Sequence, residues 1–234
     1  MNRFFFTLVL MCSIKIVFSQ SNDKPINYRF KGGEKSLIEF LGQHIKYPSS
    51  SLEKNSMGYS ISGITITPKG TIDSIIIINS IDDSIDYEIY RVLSETKDFW
   101  MRSDSVKENQ TFYMQNVFIS ASIEQGISID NPIKNNIFFI EPITITALSI
   151  GKQVLTVTNE KLIEDFAKTY SSEKFDEAIG VLSELIKRDP YNINLYQYRI
   201  LIYKETGNVE LMNKDLHKLS EFIPNMSLEE LIKN

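Results

Sequence analysis

The sequence has almost no cysteine and almost no histidine. Its 234 residues include one cysteine, Cys12, and two histidines, His44 and His217. Cys12 lies in an N-terminal segment that we expect to be removed, and the remaining chain would then have no thiol for a disulfide, a nucleophile or a metal ligand. Neither histidine has a His, Asp or Glu partner at metal-ligand spacing. The sequence therefore predicts no metal site and no cofactor.

The chain also has no excess of basic over acidic residues. The chain has 25 Lys and Arg against 30 Asp and Glu, a formal net charge of −5. No basic stripe is present that could follow a phosphate backbone, so nucleic acid is not an expected partner. The net charge becomes −7 (23 − 30) if Arg3 and Lys15 are removed with the first 20 residues.

No catalytic motif is complete. Residues 58–63 read Gly-Tyr-Ser-Ile-Ser-Gly, but the second glycine comes one position too late for a G-x-S-x-G nucleophile elbow. Lys35 and Ser36 follow a glycine pair that lacks the spacing of a phosphate loop. We therefore expect a protein that is not an enzyme and that has no small-molecule substrate.

Long apolar runs are confined to the N-terminus. Residues 4–14 are mostly apolar and lie between Arg3 and Lys15. This run is shorter than the ~20 residues of a membrane-spanning helix, and small and polar residues suitable for cleavage follow at 19 and 20. The layout predicts a secretory signal peptide over residues 1–20 and a periplasmic protein. An inner-membrane anchor formed by an uncleaved N-terminal segment is the alternative.

Residues 33–80 carry the pattern of a helix followed by a β-hairpin. The apolar residues at helical spacing are Leu37, Phe40, Leu41 and Ile45. Pro48 is expected to end this helix. Two strand-like runs, 58–67 and 71–80, are joined by Pro-Lys-Gly, which favours an antiparallel hairpin.

A second helix and a third strand complete the pattern. Asp82, Asp83 and Ser84 offer N-cap oxygens ahead of a stripe formed by Ile85, Ile89, Val92 and Leu93. Residues 111–121 form the third strand, which we expect to lie at the edge of the sheet.

The opening of this region carries a family resemblance. Residues 30–34 read Phe-Lys-Gly-Gly-Glu, and Leu37, Phe40-Leu41, Ile45 and Tyr47-Pro48 follow. This order resembles the "F-x-G-G-E … L-x-x-F-L … I-x-Y-P" opening of the C-terminal domain of the TonB family of periplasmic energy transducers, over residues 28–121. The resemblance implies a small α/β sandwich that binds protein segments. The implied partners are TonB-dependent outer-membrane receptors or other envelope proteins.

The same resemblance implies a binding site at the third strand. Domains of this family accept a peptide strand at a sheet edge, so the expected peptide-binding residues are Tyr113, Gln115, Val117 and Ile119. The sequence departs from the family pattern here, because Gln115 stands where a proline is usual and Asn116 where an apolar residue is common.

Residues 122–158 are expected to be an extended connecting segment, since they are rich in isoleucine and asparagine. Glu141-Pro142 within it precede a box-like segment, which consists of Ile143, Thr144, Ile145, Thr146 and Ala147. This stretch resembles the TonB box that outer-membrane receptors present to the transducer. An ordinary strand of the chain's own sheet is the alternative. If the third strand is an open edge, the box-like segment can add to it and inhibit receptor binding.

A repeat of 34 positions appears near the C-terminus. Phe175, Ala178, Leu182 and Pro190 recur as Val209, Met212, Leu216 and Pro224. This spacing resembles tetratricopeptide repeats and implies helices over residues 159–234. Two copies are fewer than the ~3 usually needed to stack. The helices are therefore expected to be stabilised by packing against a capping helix at 227–232, against the first domain, or against a partner.

The predicted fold class is α+β, with a small α/β sandwich followed by an all-α tetratricopeptide-like region. The predicted function is that of a secreted, periplasmic, non-enzymatic module related to TonB-type transport assemblies, which binds peptide segments by strand addition. The alternative is a tetratricopeptide scaffold or adaptor of the cell envelope, in which the TonB-like domain is only a structural fold.

Overall fold

The computed structural model describes residues 29–121, 143–148 and 157–222. These ranges contain seven α-helices and one four-stranded sheet, which confirms the α+β class. The elements are α1 Gly33–His44, α2 Ser49–Glu53, β1 Gly58–Ile66, β2 Ile72–Asn79, α3 Asp83–Glu95, β3 Gln110–Ala121, β4 Ile143–Leu148, α4 Asn159–Ser171, α5 Phe175–Arg188, α6 Ile193–Glu205 and α7 Val209–Phe222. The predicted signal peptide, most of the predicted connecting segment and the predicted capping helix lie outside the described residues.

The sheet has the strand order β2-β1-β3-β4. β1 and β2 form the antiparallel hairpin that the sequence predicts, and β1 also pairs antiparallel with β3, from Gly58 opposite Phe118 to Ile66 opposite Gln110. β1 is therefore an inner strand with both edges paired.

Helices α1 and α3 pack on the first face of the sheet. The buried side chains of this layer include Leu37, Leu41, Ile64, Ile66, Ile85, Ile89, Phe112 and Phe118. Arg29 is fully buried beside them and donates hydrogen bonds to the Thr67 and Met101 carbonyl oxygens and to the Gln110 side chain, at 2.6 to 3.2 Å. These bonds fix the start of the described chain to the β1–β2 turn and to the beginning of β3.

The first helix ends earlier than the sequence predicts. α1 stops at His44, and Ile45, which was expected on the helical stripe, has extended backbone angles. Its side chain is still buried in the core. Pro48 does not end α1 but precedes the first residue of α2, a short helix that the sequence analysis missed. A proline suits this place because the start of a helix needs no N–H from it.

The predicted cap and stripe of α3 are confirmed. The Asp82 carboxylate accepts hydrogen bonds from the backbone N–H groups of Ser84 and Ile85 and from the Ser51 hydroxyl, each at 2.9 Å. The four predicted stripe residues are all buried. Asp82 therefore joins α2 to the beginning of α3 as well as capping the helix.

Replacing Asp82 with alanine should lower the free energy of unfolding by about 1–2 kcal/mol, because two N–H groups lose their acceptor. Burial opposes ionisation, but hydrogen bonds, including those from Ser51, Ser84 and Ile85, lower the pKa of Asp82 below its usual value. The stabilisation is thus present above the unfolded-state pKa and is lost as the pH falls through the folded-state value. Urea melts at several pH values should show the difference from the parent shrinking below about pH 4. Asp83→Ala, at an exposed neighbour, is the control and should change little.

The C-terminal helices form two hairpins of matching dimensions. α4 and α6 begin 34 residues apart (193 − 159), as do α5 and α7 (209 − 175), and their ends keep the same offset. Leu182 and its counterpart Leu216 are both buried, but Ala178 is completely buried where Met212 is half-buried, and Phe175 is half-buried where Val209 is exposed. The second hairpin is therefore the more open of the two.

These helices pack on the second face of the sheet. Ile61 of β1 and Ile78 of β2 share one buried cluster with Ile186, Tyr196 and other side chains of α5, α6 and α7. Gly58 marks the closest approach, since a Cβ on it would lie 2.4 Å from the Lys187 carbonyl oxygen. Of the supports considered for the helical region, contact with the first predicted domain is the one observed.

Candidate peptide-binding edge

The box-like segment forms β4, and β4 adds to β3. The two strands run parallel, from Asn116 opposite Ile143 to Ala121 opposite Leu148. The pairing that the sequence predicted between these two segments is thus confirmed. The other two strand pairs of the sheet are antiparallel, so among the described strands only β4 pairs with its neighbour in parallel.

The expectation that β3 is the edge strand is wrong for its second half. Val117 and Ile119 lie opposite Thr144 and Thr146, so β4 occupies the outer side of β3 there. Within the described residues, the stretch 110–115 pairs only with β1. The edge is covered because the chain returns to its own sheet after residue 142.

The predicted peptide-binding side chains face the C-terminal helices. Side chains alternate along a strand, and the odd-numbered positions of β3 point away from α1 and α3. Tyr113 packs against the cluster shared with α5, α6 and α7, while Gln115 and Val117 are 2% and 3% exposed. The sequence analysis placed these side chains on an accessible edge. The structure instead buries Gln115 and Val117, so an added strand would meet the backbone of β3.

A hydrogen bond links Gln115 of β3 to the C-terminal region of the chain. The Tyr191 hydroxyl donates to Gln115 Oε1 at 2.8 Å. Burial raises the pKa of the Tyr191 hydroxyl, so it remains a donor at neutral pH. Gln115 therefore anchors the loop between α5 and α6 to β3, a contact that a proline could not make.

We expect Tyr191→Phe to lower the free energy of unfolding by about 1 kcal/mol, because the buried Gln115 oxygen loses its donor while the ring still packs. Tyr87→Phe is the matched control, since Tyr87 is 71% exposed. Thermal melts followed by circular dichroism measure both. Equal shifts would mean that the Tyr191 hydroxyl does not anchor the helical region.

The side chains described for β4 are those of residues 144–146. Ile145 packs against the cluster formed with α1 and α3, whereas Thr144 and Thr146 are exposed. The backbone of β4 pairs with β3 along the ladder. β4 thus resembles a docked peptide in its contacts, with one apolar side chain inserted and its neighbours in water.

A group of polar side chains is buried under the same strands. Ser60 and Asn116 lie opposite each other on the first face, and Ser62 follows along β1. Ser60 Oγ, Ser62 Oγ and Asn116 Oδ1 have no hydrogen-bond partner within the part of the chain that the structure describes. Ser60 is completely buried in the middle of a strand, so its hydroxyl is not placed as an exposed nucleophile.

The helical region holds a buried ion pair. The Arg199 guanidinium makes two hydrogen bonds of 2.7 Å to the Asp215 carboxylate, and a third of 2.8 Å to the Ser183 hydroxyl. The two charged side chains are 9% and 5% exposed. This pair joins α6 to α7 and reaches α5, so it fixes how the two hairpins meet.

Among the described residues, no group of three or more His, Cys, Asp or Glu side chains could hold a metal ion. Within those residues, too, no helix has the length and apolar character needed to cross a membrane.

No protein-family model, curated protein or solved structure matches the chain. The resemblances to the TonB C-terminal domain and to tetratricopeptide repeats therefore remain predictions.

Proposed function

We propose that this chain is a periplasmic, non-enzymatic protein-binding module, related to TonB-type transport assemblies, that binds an extended peptide segment by strand addition to β3. One observation carries the proposal: β4, a segment of box-like sequence, lies on this strand in parallel. A sheet edge supplies affinity through backbone hydrogen bonds and specificity through alternate side chains. Outer-membrane receptors and other envelope proteins that present such a segment are the proposed partners.

A second candidate function is an envelope scaffold whose helices α4 to α7 bind the partner. Leu201 and Val209, which are 40% and 58% exposed on α6 and α7, favour it. Single exposed apolar residues are common on protein surfaces, however, and these two do not by themselves define a groove. The strand-addition function is therefore the one that we prefer.

The test uses the full chain, because the sheet and the helices share the cluster around Ile61 and Tyr196 and separated halves would expose it. A fluorescent peptide of residues 141–148 is titrated into the Ile145→Pro variant, in which proline disfavours the strand conformation of β4 and the Ile145 side chain is lost. Fluorescence anisotropy should show saturable binding. A peptide with proline at its central isoleucine is the control and should not bind.

Hydrogen exchange locates the bound peptide. Binding should slow exchange of backbone N–H groups in residues 116–119 of the variant, since these lie where β4 pairs in the parent. Slowed exchange confined to α4–α7 would favour the scaffold function instead. No saturable binding of the peptide would overturn strand addition.

A further inference from the structure

The register of β4 defines what an added strand must present. Ile145 lies opposite Phe118, a completely buried residue of the first face, and its own side chain packs against the same core. Thr144 and Thr146 lie on the other face and are exposed. A shift of one residue would put a threonine into the core and an isoleucine into water.

Of the three β4 side chains that the structure describes, at positions 144–146, only that of Ile145 packs against the core. β2 places Ile72, Ile75 and Ile77 against the first core and Ile78 in the cluster under the C-terminal helices. Ile145 is the one side chain of β4 described as packing on either cluster. A strand with few buried contacts opens at a lower free energy than its neighbours.

We infer that β4 is an internal competitor for the peptide-binding edge, and that the edge selects parallel strands with a β-branched apolar residue at the place of Ile145. This inference rests on the proposed function. A tethered segment acts at an effective concentration on the order of millimolar, so a free peptide or a partner's segment must displace it. A partner's segment therefore binds strongly to β3 in one of two cases. Either it packs on β3 better than β4 does, or it reaches β3 while β4 is transiently detached.

The test compares four full-length proteins with one fluorescent peptide of residues 141–148. Ile145→Pro should bind at least about tenfold more tightly than the parent because the internal competitor is removed. Ile145→Ala keeps the backbone of β4 and should lie between them, which tests the inference even if the proline variant does not fold. Thr146→Val, at an exposed position, is the control and should match the parent.

The outcomes distinguish failure of the competitor inference from failure of the proposed strand-addition function. If the parent binds the peptide as tightly as both Ile145 variants, β4 is no competitor, although strand addition stands. If no folded variant binds, strand addition itself is overturned. A second peptide with threonine at the places of Ile143 and Ile145 should bind at least about tenfold more weakly to Ile145→Ala, since its buried position carries a hydroxyl. Equal binding of the two peptides would overturn the selectivity.

Discussion

Ala178→Asp should lower the free energy of unfolding by several kcal/mol, the loss expected when an unpaired charge is buried. Ala178 is completely buried in α5 and belongs to a cluster with Phe166 of α4 and Ile202 of α6. A loss of this size is a large part of the roughly 5–15 kcal/mol by which domains are stable. Urea melts followed by circular dichroism at neutral pH measure it.

Gly180→Asp is the matched control because it adds the same side chain two residues along the same helix. Gly180 is exposed, and a Cβ on it would have no heavy atom within 4 Å. We expect this variant to be as stable as the parent or a few tenths of a kcal/mol more stable, since glycine is a poor helix former. Similar losses at both positions would contradict the assigned buried face of α5.

Asp215→Ala should cost about 3–5 kcal/mol of stability, because Arg199 would stay buried without its counter-ion. The Ser183 hydroxyl accepts from Arg199 Nη1, so Nε and Nη2, which now donate to the Asp215 carboxylate, would both lose their acceptor. Chemical denaturation of the full chain should show this loss. Glu210→Ala removes an exposed ion pair with Lys214 on the same helix and is the control. It should cause no measurable change.

A double variant separates the cost of an unpaired charge from the contribution of the pair. Arg199→Met with Asp215→Leu removes both charges and keeps apolar volume. It should be more stable than Asp215→Ala, because no buried charge is then left without its counter-ion. A double variant that is less stable than Asp215→Ala would show that the ion pair itself, rather than the avoidance of a lone charge, stabilises the helical region.

Local signals were enough to predict α3 and the hairpin. The cap at Asp82 and the stripe from Ile85 to Leu93 lie within one short segment, so no distant contact is needed to form the helix. The bounds of β1 and β2 likewise agree with the predicted runs to within one residue. Pro48 shows the limit of such signals, since proline favours both the end of one helix and the start of the next.

Contact between the helical region and the first domain was one of three expected supports, and the sequence also carried a signal for a second apolar face of the sheet. Residues 75–78 are four consecutive isoleucines, and a strand that alternates its side chains must then be apolar on both faces. Ile75 and Ile77 face α1 and α3, while Ile78 meets the C-terminal helices. The isoleucine run indicated that the second face of the sheet is also covered, but it did not indicate which part of the chain covers that face.

The two strands of the candidate edge were predictable from the sequence, but the burial of the side chains on β3 was not. The alternation of Ile and Thr over residues 143–147 predicts a strand, and the order of elements placed β3 near the margin of the sheet. The burial of Gln115 involves Tyr191, which lies 76 residues further along the chain, between α5 and α6. No pattern local to β3 carries that information.

Ile61 and Ile78 belong to a buried cluster whose members extend to Leu219 of α7, so the cover of the second sheet face is incomplete until the last helix has been made. Synthesis delivers the N-terminal strands first, and the helices that cover this face follow them. Contacts of such long sequence separation also slow folding. A chain that terminates before α7 would lack Leu216 and Leu219 and would expose the apolar side chains that they cover, which favours aggregation rather than a smaller working domain.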